Sequence, residues 1–355
     1  MNRIRIILPS NSSGLNQDAL IYKKVLPNSF IVNGYDIENQ KKELYKKKEY
    51  INLYIERPPG KYILSNKYFP SEKNWIMINQ ELLKTYKNKL DNVYNIFEYI
   101  LCKTKYAYNL LNNYKINNSY FKYKPIYTGF TSLCNIVSNI KKDYNLIVHF
   151  AGKSPYKNTK LIIDSWINNN GFVEYNKNIK LIITCFKDDN WDQSCFDTQL
   201  NKWFNLKNKK NTMNNNCEFI IPVSNLIICK KKIDNIDILQ KTAGCSLCPS
   251  SQEGFGHYIN ESKCNKSIII TTDGKPMNEL VKKEYGILIK PIKKEKVKTS
   301  IEGSYTYTLS EEDISKSIIK YIELPLNKKK EMSKNTYKSF NDQTDYFNNS
   351  MNKLF

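Results

Sequence analysis

CSLCPSSQEGFGHYINESKCNKSIIITTDGKPMNE, residues 245–279, alternates strand and helix signals around one glycine loop. Cys245 to Cys248 is a short, mostly apolar run that stops at Pro249. Polar residues follow, then Glu253 and Gly254-Phe255-Gly256. The spacing predicts a helix over His257–Cys264, with Glu261 one to two turns in. Ser267–Thr271 is a second, β-branched strand run, ended by Asp273-Gly274. Pro276 opens the next helix, where its missing N–H is not needed.

Two glycines flanking Phe255 let the backbone approach a ligand with no Cβ in the way. A helix that starts just after them points unpaired N–H groups and its positive dipole end at whatever sits there, which suits a phosphate. Glu253 precedes the loop and Glu261 follows it with seven residues between. Both carboxylates are therefore expected to border one cleft at the carboxyl ends of the strands, where open α/β sheets bind ligands. A carboxylate offers several acceptor sites and suits a sugar diol.

Glu253-x7-Glu261 around GFG, after Pro249-Ser250, resembles the donor-site motif of family 4-type retaining glycosyltransferases with the GT-B fold. GHYINE, TTDGKPMNE, HFAGKSPYKNT, CKTKYA and GFTS resemble the glycosyltransferases of large DNA viruses in particular. The likeness covers most of the chain and is strongest over 145–165 and 245–285. It implies two Rossmann-like α/β/α domains facing a cleft, with the last helix crossing back onto the first domain. It implies a retaining transfer of a sugar from a nucleotide donor (UDP-, GDP- or dTDP-sugar) to an acceptor hydroxyl, with no bound cofactor and no metal. Glu253 is then expected to hold the donor sugar and Glu261 the ribose. Ser250 and the backbone amides of Gly254, Phe255, Gly256 and His257 are expected to contact sugar or phosphate. The family grips the donor diphosphate with two basic residues after the first strand of the second domain, and Lys153 and Lys157 match them. The family usually has arginine first, at slightly different spacing.

The 355 residues suffice for two domains, and at 41% hydrophobic they can build sizeable cores. The formal charge of +21 admits nucleic acid, an anionic membrane or an acidic substrate as partner. Lys, Asn, Ile and Tyr are all abundant, as in proteins of AT-rich genomes, and the charge is spread along the chain rather than gathered in a tail. No nucleic-acid-binding motif stands out. No run reaches about 18 apolar residues, so no transmembrane helix is expected, and Met1–Pro9 is too short and charged for a signal peptide. Nine scattered cysteines, several in apolar runs, fit buried thiols in a reducing, cytoplasmic setting, in a host cell or virion if the protein is viral.

The first domain, expected over 1–138, opens on a strand at Arg3–Leu8. The loop Ser10–Gly14 is either a cleft contact at Gly14 or only a turn; Leu15–Leu26 follows as a helix. Strands are expected at Phe30–Val32, Tyr50–Ile55 and Trp75–Ile78, and a charged helix at Asp36–Lys48. Many related enzymes carry a histidine near residue 79; this chain has only His149 and His257. Asn79 and Glu81 stand in its place as cleft candidates, or as an N-cap for the next helix. Asn92–Asn95 reads as a short strand and Phe97–Leu111 as a helix that carries Lys103, by resemblance a cleft residue and otherwise part of a solvated face. Pro125–Gly129 reads as the last strand of this domain.

The second domain, expected over 139–334, starts on Asn145–Ala151. That run is apolar throughout, as strands buried on both faces are. GKS at 152–154 fails as a phosphate-binding P-loop, because the motif needs glycine at 147 and Ile147 stands there. Asp188-Asp189 lacks the spacer of a D-x-D metal motif. Cys245, Cys248, His257 and Cys264 do not make a convincing zinc site, since no second CxxC exists. Further strands are expected at Lys180–Phe186, Phe219–Val223, Leu226–Cys229 and Gly286–Pro291, with a basic loop over 292–305. Ser310-Glu311-Glu312-Asp313 resembles a capping box. Asn327–Phe355 reads as a helix whose apolar face is Phe340, Tyr346, Phe347, Met351 and Leu354, with 335–355 joining the first domain.

The residues thus point to a glycosyltransferase whose acceptor is a glycan, protein or lipid, with no nucleic-acid partner and a possible peripheral contact with anionic membrane. A non-catalytic module that binds nucleotide sugar or glycan is the second reading, prompted by the missing histidine. A basic nucleic-acid-binding protein is the third, and it predicts steep salt dependence.

Overall fold

Apolar runs buried on both faces build two mainly parallel sheets in this chain. The computed structural model describes residues 3–8, 13–33, 49–56, 71, 73–79, 95–117, 122–134, 140–152, 154–184, 219–221, 225–229, 236–297 and 305–354. The helix expected over Asp36–Lys48, Asp188-Asp189, and the candidate residues Glu81 and Lys153 lie outside the described residues. Two compact units emerge: Met1–Leu133 with Glu295–Thr306 and Phe340–Phe355, and Cys134–Lys294 with Tyr307–Ser339.

In the first unit, β1 (Ile4–Leu8), β2 (Ser29–Asn33), β3 (Ile51–Ile55), β4 (Asn74–Ile78), β5 (Tyr99–Cys102) and β6 (Lys124–Tyr127) lie in the order β2-β1-β3-β4-β5-β6, every pair parallel. The chain leaves β1 in one direction along the sheet for β2 and then returns to its other side for β3, as in doubly wound folds. Helix α1 spans Ser13–Val25 and α2 Lys105–Ile116. The helix expected over Phe97–Leu111 is instead a strand and a helix, divided by Thr104, whose hydroxyl caps α2 by accepting the Ala107 N–H at 3.0 Å. Ile100-Leu101-Cys102 is too short for its periodicity to separate strand from buried helix.

In the second unit, β7 (Asp143–Phe150), β8 (Lys180–Thr184), β9 (Phe219–Ile221), β10 (Leu226–Cys229), β11 (Ala243–Cys248), β12 (Ile268–Thr272) and β13 (Gly286–Ile289) form the order β13-β12-β11-β7-β8-β10-β9. Only the edge strand β9 is antiparallel. Helices α3 (Thr159–Asn168), α4 (Ile236–Thr242), α5 (His257–Cys264), α6 (Met277–Leu280) and α7 (Glu311–Glu323) belong to this unit. Ile147, Trp166, Leu181, Leu247, Ile270 and Ile318 share one core. Ser310 caps α7 as expected, accepting the Asp313 N–H at 3.0 Å. The segment expected as a basic loop is a hairpin, β14 (Lys293–Lys296) with β15 (Tyr305–Thr308).

Helix α8 (Leu326–Leu354) contributes to each unit in turn. Its first half packs on the second unit: Met332 joins the core and the Thr336 hydroxyl donates to the Tyr285 carbonyl at 3.1 Å. Its second half packs on the first unit. There Phe347 meets Tyr22 and Phe130 with ring centroids 5.6 and 5.2 Å away, and the Gln343 amide donates to the Phe130 carbonyl at 2.6 Å. Phe340, Phe347 and Met351 of the expected apolar face are buried, whereas Tyr346 is 46% exposed and lies against Tyr127. No helix among the described residues is long and apolar enough to cross a membrane.

Trp166 is fully buried and packs edge-on against Phe172 at 5.3 Å. Trp166→Ala is expected to lower stability by about 3–5 kcal/mol through the cavity it leaves. Denaturant unfolding of the two proteins measures this, and an unchanged midpoint with unchanged slope contradicts the packing described.

Candidate functional site

Strand β11 ends at Cys248, and the chain turns at once, the Ser250 N–H donating to the Cys248 carbonyl at 2.9 Å. Two threonines of β12 fasten this turn: Thr271 donates to the Cys248 carbonyl and Thr272 to the Ser250 carbonyl, each at 2.6 Å. Ser250 is buried and donates its hydroxyl to Glu253 Oε1 at 2.6 Å. The Tyr258 hydroxyl meets the same serine oxygen, so one side chain ties the loop to the helix that follows. Gly254, Phe255 and Gly256 are buried. Gly256 has φ +90° and starts α5. A Cβ there is disfavoured by the left-handed backbone and would stand 3.2 Å from Ile259 Cδ1. No residue caps α5 with its side chain at this end. His257 is half-buried with its ring 5.4 Å from that of Phe255.

Lys157 comes from the turn after β7. Gly152 (φ +57°) bends the chain back, and a Cβ on it would lie 3.7 Å from Lys157 Nζ. A 3-10 turn at Pro155–Lys157 ends on Asn158, which is left-handed at φ 54°. The Lys157 ammonium donates to the Phe150 carbonyl at 2.9 Å and stands 4.2 Å from the centre of the Tyr258 ring. The turn and the glycine loop are bonded to each other. Asn158 Nδ2 donates to the Pro249 carbonyl at 2.7 Å, and the Ser251 N–H donates to the Tyr156 carbonyl at 2.8 Å.

The charges converge on the end of β11. Desolvation pushes the Glu253 carboxyl above the usual carboxylate range; the Lys157 ammonium, the Ser250 hydroxyl and His257 pull it back. Burial pushes the Cys248 thiol up, Lys157 opposes the rise, and Glu253 and Glu261 add to it. One ammonium and both glutamates therefore act on the same buried sulfur. Glu261 is half-buried in the second turn of α5. A cation, the start of a helix and carboxylates around one strand end are the groups that can hold an anion and a polyol.

The candidates of the first unit stand otherwise. Gly14 is not in a loop but in the first turn of α1, exposed, with open space where its Cβ would be. Lys103 is not on a solvated helix face; it follows β5, is 3% exposed, bonds Asp18 at 2.6 Å and sits 4.6 Å from the centre of the Phe130 ring. Its ammonium is spent on the interior of that unit. Asn79, half-buried after β4, donates to Glu56 Oε1 at 2.8 Å.

Cys245 and Cys248 are buried thiols three residues apart in a strand, hence on opposite faces. Cys264 is bonded to Cys134, their Cα atoms 6.2 Å apart, which departs from the expectation of free thiols throughout. Among the described residues no cluster of three or more His, Cys, Asp or Glu can hold a metal ion.

His149 has no role in the sequence reading, yet it underpins the site. It is fully buried in β7; Nδ1–H donates to the Leu247 carbonyl at 2.8 Å, and Nε2 accepts the Thr159 hydroxyl at 2.9 Å. The carbonyl can only accept, which fixes the neutral tautomer. The imidazole thus joins β7, β11 and the first residue of α3. Desolvation lowers its pKa to about 3, with Lys157 nearby adding to the effect.

Residues 135–339, more than half of the chain, match the family model described as Glycosyl transferases group 1. Among solved structures the chain is similar to the UDP-forming α,α-trehalose-phosphate synthase of Burkholderia xenovorans, with TM-score 0.66, 8% identity, and 99% of this chain and 98% of that one covered. It is similar to HepE of Anabaena in complex with UDP, with TM-score 0.56, 12% identity and 99% of both chains covered. It is similar to the pneumococcal O-GlcNAc transferase GtfA in complex with UDP and GlcNAc, with TM-score 0.60 and 11% identity. That match covers 90% of this chain and 58% of the pneumococcal one, so the chain spans less than two thirds of that relative's length. No curated protein sequence matches. At these identities the structural likeness concerns the fold.

Below its ordinary value near 6.5, His149 takes a proton in the unfolded chain that the folded chain refuses until about pH 3. Stability therefore falls as pH drops from 6.5 towards 3, by about 3–5 kcal/mol over the full window. Between pH 7 and 4 the wild-type melting temperature should fall more steeply than that of His149→Gln. Parallel profiles contradict the neutral, buried imidazole.

Proposed function

This chain belongs to the glycosyl transferases group 1 family, and we propose from that premise that it moves a sugar from a nucleotide-sugar donor to an acceptor hydroxyl, with retention of configuration. It has the GT-B class of fold: two α/β units with parallel sheets, and a C-terminal helix that contributes to both. One observation carries the reading of the site. Lys157, Glu253 and Glu261 all act on the buried Cys248 thiol at the carboxyl end of β11, beside the glycine-led start of α5 and within the region that matches the family, which supports this reading.

In this reading the Lys157 ammonium and the first amides of α5 hold the donor diphosphate and stabilise its charge as the glycosidic bond breaks. Lys153, which lies outside the described residues, is assigned to the same task. Glu253 accepts hydrogen bonds from hydroxyls of the donor sugar, Glu261 takes the ribose diol, and Ser250 orients Glu253. Gly254, Phe255, Gly256 and His257 form the wall behind sugar and phosphate. The leaving group's charge is met by ammonium groups and peptide dipoles, and no metal is assigned a part. Retention comes from the family and not from these residues alone. Two of the similar structures were solved with UDP, which makes the uracil nucleotides the first donors to test.

We place the protein in a cytoplasm or virion, as kin of the transferases of large DNA viruses, on the strength of the GHYINE, TTDGKPMNE and HFAGKSPYKNT runs. The acceptor is a glycan, protein or lipid, and contact with an anionic membrane surface is open to vesicle sedimentation.

A melting-temperature screen over UDP-, GDP- and dTDP-sugars tests donor binding, with about 2.7 kcal/mol of stabilisation expected at a ligand concentration one hundred times Kd. Nucleotide release in the presence of the selected donor tests turnover. Glu253→Ala and Lys157→Ala are each expected to slow it about 100- to 1000-fold, as lost electrostatic contacts to a transition state do. Wild-type rates in both variants overturn the site, and binding without turnover on any acceptor favours the non-catalytic module instead.

A further inference from the structure

The hairpin β14–β15 brings one side chain onto the rim of this site, and nothing in the glycine-loop motif accounts for it. Tyr307, in β15, is buried although the strand's other residues are exposed or half-exposed. Its backbone N–H donates to the Ser251 carbonyl at 2.9 Å. Its phenol oxygen accepts the Lys275 N–H at 3.0 Å. Its ring packs against the turn after β12, where a Cβ on Gly274 would stand 2.6 Å from ring atoms Cε2 and Cζ. Gly274 has no left-handed φ, so the close ring rather than the backbone conformation requires glycine there.

Ser251 is thereby bonded on both sides. Its N–H goes to the Tyr156 carbonyl in the turn after β7, and its carbonyl accepts from Tyr307. Three loops, those following β7, β11 and β12, are stitched through these two residues. Ser250, which orients Glu253, is the immediate neighbour of Ser251. Lys157 is held by the Phe150 carbonyl and the Tyr258 ring, and Tyr258 meets Ser250 in turn. Tyr307 enters this network at Ser251, next to the serine that orients Glu253, whereas Lys157 enters it through the Tyr258 ring.

We propose that Tyr307 is a positioning residue that sets the Glu253 loop against the Gly274–Lys275 turn and so governs recognition of the donor's sugar, not of its diphosphate. This rests on the function proposed above. Glycosyl transfer requires the sugar to be held in one orientation while its bond to phosphate breaks, and small displacements of an aligning group are costly to rate. A tyrosine that bonds one loop through its backbone and the other through its phenol supplies that alignment from outside the reacting atoms.

Tyr307→Phe keeps the ring on Gly274 and the main-chain bond to Ser251 and removes only the phenol oxygen. Binding of UDP and of UDP-glucose, or of the guanine or thymine pair that the donor screen selects, is compared in the two proteins. UDP affinity is expected to stay within about twofold, while nucleotide-sugar affinity and kcat/KM fall about fivefold, the effect of one lost hydrogen bond. Gly274→Ala, which drives a methyl group into the ring, should reproduce the split. An equal loss for both ligands marks a merely structural residue and overturns the proposal, as does no loss for either. Hydrogen exchange separates this from the functional reading: the Lys275 amide should exchange faster in Tyr307→Phe with no ligand present. If wild type binds no nucleotide sugar, the functional reading falls and the proposal with it. Unchanged exchange at Lys275 removes the stitching even when the wild type is active.

Discussion

A lysine ammonium that bonds a neutral carbonyl and an aromatic face, rather than a carboxylate, keeps its charge available to a ligand. Lys157 is in that state, held by the Phe150 carbonyl and the Tyr258 ring, and it acts on Glu253 through space. A direct, closed ion pair would have satisfied both groups and left little attraction for an incoming anion. Ser250 donates a neutral hydrogen bond to Glu253, and desolvation raises the carboxyl's hold on a proton. Charge held in a partly desolvated place by neutral partners is the condition that electrostatic stabilisation of a leaving group needs.

The fold produces this condition by stacking turns at the carboxyl edge of a parallel sheet. Adjacent strands β7, β11 and β12 end together, with Cys245 opposite both Ile147 and Ile268. Bonds to backbone carbonyls then join these ends: the Asn158 side-chain amide to Pro249, the Ser251 N–H to Tyr156 and the Thr272 hydroxyl to Ser250. His149 locks the layer beneath, and it can do so only as a neutral ring, because a charged one would lie buried beside Lys157. The strand ends are thus fastened by peptide groups, neutral side chains and one imidazole, without an ion pair among these bonds.

Helix α5 was legible to the residue, because Gly256 permits the left-handed entry and Asn265 follows the end. The all-apolar strands and the Ser310 cap were legible for the same reason: the cause of each element lies within a few residues of it. What failed depends on distant partners. Ile100-Leu101-Cys102 became a strand because β4 and β6 flank it, and Lys103 was drawn inside by Asp18, far back in the sequence. The pairing of Cys134 with Cys264, the coupling of His149 to Leu247 and Thr159, and the reach of Tyr307 to Ser251 and Lys275 leave no local trace. Only the buried-run position of His149 and the lone glycine at 274 hinted at close neighbours.

The excess of lysine is absorbed by the excess of tyrosine and phenylalanine. Lys103 stands over Phe130 at 4.6 Å, Lys329 over Tyr321 at 4.7 Å, Lys266 over Tyr337 at 4.9 Å and Lys105 over Tyr127 at 5.8 Å. Lys142 is tucked against the Ala243 carbonyl and the Ser267 hydroxyl, and desolvation lowers its pKa to about 7. A chain forced by its composition to carry many ammonium groups has thus placed several against ring faces and carbonyls, where they contribute to packing through stem and charge alike. These lysines belong to both units and to many elements. Lys157 shares their mode of attachment and differs in its setting, since its ring, Tyr258, is a residue of the helix that begins at Gly256. The same cation–ring contact that stabilises the fold elsewhere becomes, beside a glycine loop, the means of presenting a charge.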